Sequence, residues 1–198
     1  MVEQLFLVRH AQTDWNAEGR LQGHADRPLS ALGREQAVAL GQYLKDMQFN
    51  SVFCSDLART RETAALAGYT AAQPDRSWRE FDVGNWSGRL INDLIASEDD
   101  AYFRWRSGQH TPPGGESWLV FEARLRANLA RLSSIPGEIL LVTHSGVIRA
   151  IMKIVLGVPA GTLAAVGHAS VSVLDFRTGP NIGRYDARPL HVGEAVPD

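Results

Sequence analysis

The stretch FLVRHAQTDWN, residues 6–16, runs an apolar strand into an Arg–His pair and then turns polar. Far along the chain LLVTH, residues 140–144, repeats the pattern and also stops at a histidine. Short apolar runs with a polar stop read as strands buried on both faces, the type found in parallel sheets. QLFLV (4–8), SVFC (51–54) and EILLVT (138–143) have this form. SVSVLDF (170–176) alternates in period two, which predicts a half-buried strand. Between them lie helical patterns. Ser30 is placed to cap a helix running to about Met47, with Ala37, Leu40, Leu44 and Met47 on one face. Further helices are expected over 58–67, 116–132 and 147–156. Strand–helix alternation predicts an α/β fold: a three-layer sandwich with a mainly parallel central sheet flanked by helices. Residues 84–115 break the alternation. They hold Trp86, Trp105, a charged SEDD run and HTPPGGES, and read as a small helical lid insertion in a single domain spanning 1–198. The polar tail after Gly179 offers an edge strand near IGRYD.

With 198 residues, 44% of them hydrophobic, the chain has material for one real core. Its formal net charge of −2 provides no basic field to recruit nucleic acid or an anionic membrane, so any anion site must be local. The first residues lack a basic n-region, and their apolar run is too short for a signal peptide or a membrane span. Cys54 is the one cysteine, which excludes an intrachain disulfide and a thiolate cluster and points to a reducing, cytoplasmic setting. Ending the VFC run, it reads as a buried structural residue. A homodimer stays open, since nothing in the pattern fixes the oligomeric state.

Ligands of open α/β sheets bind outside the carboxyl ends of the strands. Two strands that each end in a histidine therefore place His10 and His144 across one crevice if they are neighbours. Arg9 sets the chemistry there. A guanidinium repels a metal cation but grips a phosphoryl group with its planar fork. The THSG turn adds the first amides of a helix, a weak anion-favouring field.

RHAQTDWN, LQGHADRPLSALGREQA, SDLARTRETA, WREFDVGNWSG, PPGGES and THSG, in that order over residues 5–150, resemble the histidine phosphatase superfamily, in its phosphoglycerate-mutase-like branch. The resemblance implies a covalent phosphohistidine at His10, a phosphate pocket from Arg9, Arg59 and His144, and a proton donor at Glu80. Asn16, Gln22 and Gly23 match positions that line the substrate phosphate in that family. No metal and no cofactor is implied, because arginine and histidine supply the charge around the phosphoryl oxygens.

Glu80 sits between Trp78 and Phe81, where an apolar setting would keep its proton available. Asp82 is the rival acid. The acid-phosphatase branch uses an Asp directly after its second histidine; Ser145 stands there instead. His24, His110, His168 and His191 carry no strong motif, and the tryptophans read as packing or lid residues. The chain departs from the family at Ala11, where Gly is usual, which would strain the backbone if φ is positive. Gln12, where Glu is common, removes one negative charge near the pocket. Three functions remain to be separated: a phosphatase acting on a small phosphomonoester, a mutase returning the phosphoryl group to another hydroxyl, and a non-catalytic phospholigand binder. The short insertion favours the phosphatase. A two-histidine metal hydrolase fits poorly beside the arginines.

Overall fold

Val2–Arg9 forms β1, and a computed structural model of the chain describes it together with the rest of residues 1–97, 99–158 and 162–189. The elements that follow are α1 (Asp14–Ala17), α2 (Ala31–Leu44), β2 (Ser51–Ser55), α3 (Ala58–Leu66) and β3 (Gln73–Asp75). Then come α4 (Ile91–Ile95), α5 (Ala101–Arg106), α6 (Trp118–Ser133), β4 (Gly137–Thr143), α7 (Ser145–Leu156), β5 (Val171–Asp175) and β6 (Asn181–Ala187). Among the described residues the strands form one six-stranded sheet in the order β3-β2-β4-β1-β5-β6. The first four in that order run parallel, β5 runs antiparallel to β1, and β6 runs antiparallel to β5.

Strand geometry explains the three layers. Successive side chains point to opposite faces, so Leu5, Leu7, Ile139 and Leu141 join one cluster with Phe121 and Leu125 of α6 and Ile148 and Ile151 of α7. Phe6, Val8, Leu140 and Val142 join the other, under Ala37, Leu40 and Leu44 of α2 and Ala64 of α3. Cys54 lies in this second cluster, buried as expected, and burial pushes its thiol up to about 11.

The strand at 170–176 differs from its reading. Val171, Ser172, Val173 and Leu174 are all buried, because β5 lies inside the sheet with both faces covered. Its polar position is satisfied internally: Ser172 Oγ accepts the Asp186 N–H at 3.1 Å. Helix boundaries shift where caps decide them. Ser30 Oγ accepts the Gly33 N–H and starts α2 as expected. Ser117 caps α6, so that helix begins at Trp118 rather than at 116. α7 begins at Ser145, two residues early, with His144 as its N-cap residue.

Residues 84–115 leave and rejoin the body at one neck. Asn85 N donates to the Pro113 carbonyl (2.8 Å), and Glu116 N donates to that of Asp82 (3.0 Å). Within the insertion a 3₁₀ turn at Gly84–Trp86 precedes α4 and α5. Trp86, Trp105 and Tyr102 pack edge-on and tilted against one another, and Trp105 reaches Phe81, which contacts Trp118 and Phe121 in the body.

Candidate active site

The register pairs Arg9 with Thr143, and His10 N donates to the Thr143 carbonyl at 2.9 Å. His10 and His144 therefore stand one residue past two adjacent parallel strands, with ring centroids 5.3 Å apart at 64°. A cavity of about 240 Å³ opens at this edge. Arg9, His10, Asn16, Gln22, Gly23, Arg59 and Glu80 line it, so seven of the eight residues expected from sequence meet there. His144 does not line it; fully buried, it stands against His10. A wider depression of about 980 Å³ lies at the opposite ends of the strands, near Glu3, Phe49, Gly137 and Arg184, away from both histidines.

Hydrogen bonds fix the two imidazoles in opposite tautomers. His10 Nδ1 lies 2.8 Å from the Ala11 carbonyl, which can only accept, so Nδ1 carries the proton and Nε2 keeps its lone pair. His144 Nδ1 accepts from Arg59 Nε at 3.3 Å, so its proton sits on Nε2, a buried N–H with no partner among the described residues. Burial, then Arg59 and Arg9, holds His10 well below the ordinary imidazole range. Burial, then Arg59 and His10, does the same to His144. Both rings are neutral near pH 7.

Arg59 is wholly buried at the start of α3. Its Nη1 and Nη2 donate to the Ala25 and Gly23 carbonyls, each at 2.8 Å, while Nε holds His144. Arg9 is held from the back: Nη1 donates to the Val166 carbonyl at 2.6 Å, and Nε has no partner among the described residues. Burial draws both guanidiniums down to about 10, which leaves them charged at neutral pH. Gly23 has φ +55°, and a Cβ there would meet Val83 Cγ2 at 2.5 Å, so glycine is required at that turn. Thr13 caps α1, and Asn16 Oδ1 accepts from the Thr13 N–H and hydroxyl. The Asn16 amide thus offers a cavity ligand only N–H donors. Gln22 is buried, its Oε1 without a partner among the described residues.

Among the described residues Glu80 is the only carboxylate lining the cavity, against arginines 9, 20, 59, 106 and 149. Its setting differs from the apolar one expected from Trp78 and Phe81. Oε2 accepts the Gly146 N–H at 2.9 Å, and Oε1 accepts the Phe81 N–H at 3.0 Å. Asp82 turns away from the cavity, to the Gly84 N–H and His24. The departures at 11 and 12 are harmless. Ala11 is not among the positive-φ residues, and its N–H donates to Thr63 Oγ1. Gln12 does not line the cavity; its Oε1 accepts from Ser30 Oγ.

His168 stands 6.3 Å from the His10 ring and is drawn down to about 3 by burial, Arg9 and Arg188. His24 donates from Nε2 to the Glu80 carbonyl at 2.9 Å, His110 stacks on Trp86, and His191 lies outside the described residues. Among the cavity residues the sequence reading missed are Ser145, Arg149, Tyr102 and Arg106. Only Arg149 carried a signal: it follows Ser145 by four residues, one turn along the same helix face. Among the described residues no cluster of three or more His, Cys, Asp or Glu is placed to hold a metal ion.

Known proteins resemble this chain along almost its whole length. The profile of the histidine phosphatase superfamily (branch 1) matches residues 5–184. A "Probable phosphoglycerate mutase GpmB" of Salmonella choleraesuis is 32% identical over 183 residues, covering 88% of this chain and 85% of its own. A mycobacterial glucosyl-3-phosphoglycerate phosphatase, solved with VO3, superposes with a TM-score of 0.84 at 33% identity, over 93% of this chain and 99% of its own. A protein of Thermus thermophilus, TTHB049, superposes with a TM-score of 0.72 at 34% identity, over 90% of this chain and 96% of its own.

Proposed function

The chain belongs to branch 1 of the histidine phosphatase superfamily, and on that premise we propose that it hydrolyses small phosphomonoesters through a phosphohistidine on His10. One observation carries the reading: opposite tautomers leave a lone pair on His10 Nε2 and an unpartnered N–H on His144 among the described residues. In the first step the His10 Nε2 lone pair forms a bond to phosphorus as the P–O bond to the alcohol breaks. The leaving oxygen takes the proton that Glu80 holds beside the phosphate dianion. Arg9, Arg59 and the His144 N–H stabilise the equatorial oxygens, and Asn16 and Gln22 orient them. In the second step Glu80 takes a proton from water, whose oxygen attacks phosphorus. The P–N bond breaks and its electron pair returns to Nε2.

The name of the GpmB relatives points instead to a mutase. What favours hydrolysis is the likeness to a phosphatase over nearly its whole length and the short insertion ending in PPGGES. No described helix is long and apolar enough to cross a membrane. On the single cysteine, which suits a reducing compartment, we place the protein in the cytoplasm, acting on a small phosphomonoester.

Quenching with a labelled phosphomonoester should trap phosphate on His10, alkali-stable and acid-labile, and His10→Ala should abolish the label. An acid-stable adduct would exclude a phosphohistidine. Phosphate release should exceed phosphoglycerate interconversion when no bisphosphate primer is present; the reverse ratio would make the enzyme a mutase. Activity should survive thorough chelation, because the charge comes from arginines, and vanadate should inhibit.

A further inference from the structure

We propose that Arg124, locked to Glu116 of the PPGGES segment, is the positioning residue for the general acid Glu80, an inference that rests on the acid role assigned above. Arg124 lies on α6 and does not line the cavity. Its guanidinium ties the main chain of 77–80 to Glu116. Nη1 donates to the carbonyls of Ser77 (2.9 Å) and Arg79 (2.8 Å). Nη2 donates to the carbonyl of Glu80 (3.3 Å) and to Glu116 Oε1 (2.6 Å).

Glu116 closes the assembly from the insertion's end. Its Oε1 also accepts the Asp82 N–H at 2.9 Å, and its own N–H donates to the Asp82 carbonyl at 3.0 Å. His24 holds the Glu80 carbonyl from the other side. The main chain of 77–82 is thus tied at four residues, with Glu80 among them. Two facing glycines make the approach feasible: a Cβ on Gly115 of PPGGES would overlap the Asp82 carbonyl, and one on Gly84 would overlap the backbone of 113–115.

An exposed ion pair would contribute little. This one is different, because the Arg124 and Glu116 side chains are only 20% and 12% exposed and each also holds main-chain groups. A rigid fork of five N–H donors fixes angles as well as distances, which a lysine cannot reproduce. Glu80 must present its proton to the leaving oxygen, and a displacement of about 1 Å can cost a catalytic group about 10²-fold.

The test compares wild type, Arg124→Met, Arg124→Lys, Glu116→Gln and Glu80→Gln in single-turnover phosphoryl transfer. The substrates are an alkyl phosphate and a nitrophenyl phosphate, whose leaving group departs without a proton. Vanadate inhibition and melting temperature are read alongside. Arg124→Met should slow the alkyl ester by about 10- to 100-fold, slow the aryl ester much less, and leave vanadate affinity unchanged. Arg124→Lys should show the same pattern with a smaller loss. Should Arg124→Met fail to fold, Glu116→Gln, which keeps an acceptor for Asp82 N, should show the pattern in weaker form. Equal losses on both esters, or wild-type rates in a folded Arg124→Met, would overturn the proposal if Glu80→Gln keeps its leaving-group dependence. A Glu80→Gln variant without that dependence would remove the acid assignment itself, and this inference with it.

Discussion

At the scale of the residue, the site works by making each polar group choose one role. Arg59 shows this most fully. Its three N–H bonds complete the carbonyls of Gly23 and Ala25 and fix the His144 tautomer. A lysine keeps the charge but replaces a planar fork by one compact ammonium. Arg59→Lys should therefore strand buried acceptors, each costing about 1–3 kcal/mol, and free His144 to take the other tautomer. The expected result is a lower melting temperature together with weaker vanadate binding, measured on the same preparation. If both are retained, charge alone suffices at this position and the tautomer has another cause. Residue identity at Arg9, His10 and His144 was legible in the sequence because a strand end fixes where a side chain stands. The Glu80 surroundings were not, because its partners come from Gly146 and Phe81 backbone amides, which no side-chain pattern encodes.

At the scale of the element, the parallel strands and the large helices were readable because their apolar periods are long enough to be unambiguous. α1 and β3, of four and three residues, were missed: neither holds a full period. The burial of both faces of β5 was misread because Ser172, and Ser170 just before the strand, are satisfied inside the fold rather than by water. The first turn of α7 links fold to site. Gly146 lies within that helix, where alanine is ordinarily better by about 0.5–1 kcal/mol. Here an added Cβ would overlap Glu80 Oε1. Because that atom ends a flexible side chain, the carboxylate can swing aside at small cost to folding. Gly146→Ala should then leave the melting temperature level or slightly raised while slowing transfer from an alkyl phosphate more than from an aryl one. Unchanged alkyl-ester rates would show that the Gly146–Glu80 contact does not aim the acid.

At the scale of the whole molecule, placing three neutral imidazoles in one buried cluster makes folding sensitive to acid. His10 and His144 are held well below the imidazole value of 6.5, and His168 at about 3, in each case with burial as the largest cause. The unfolded chain protonates them near 6.5 and the folded chain does not. Below that pH the unfolded state binds more protons, so stability falls as pH falls. Each histidine contributes a slope of up to about 1.4 kcal/mol per pH unit, and all three about 4. A typical domain has only about 5–15 kcal/mol in total, so unfolding should set in well above the range where carboxylates titrate. The depressed carboxylates, such as Asp56 beside Arg79, add their loss only below their ordinary value of 3.8. Urea titrations at pH steps between 7 and 5 should show a steep decline that His168→Gln flattens by about a third. Stability that stays level across that interval would mean that all three rings, His10 among them, take up protons while folded, and the neutral nucleophile would then need another explanation.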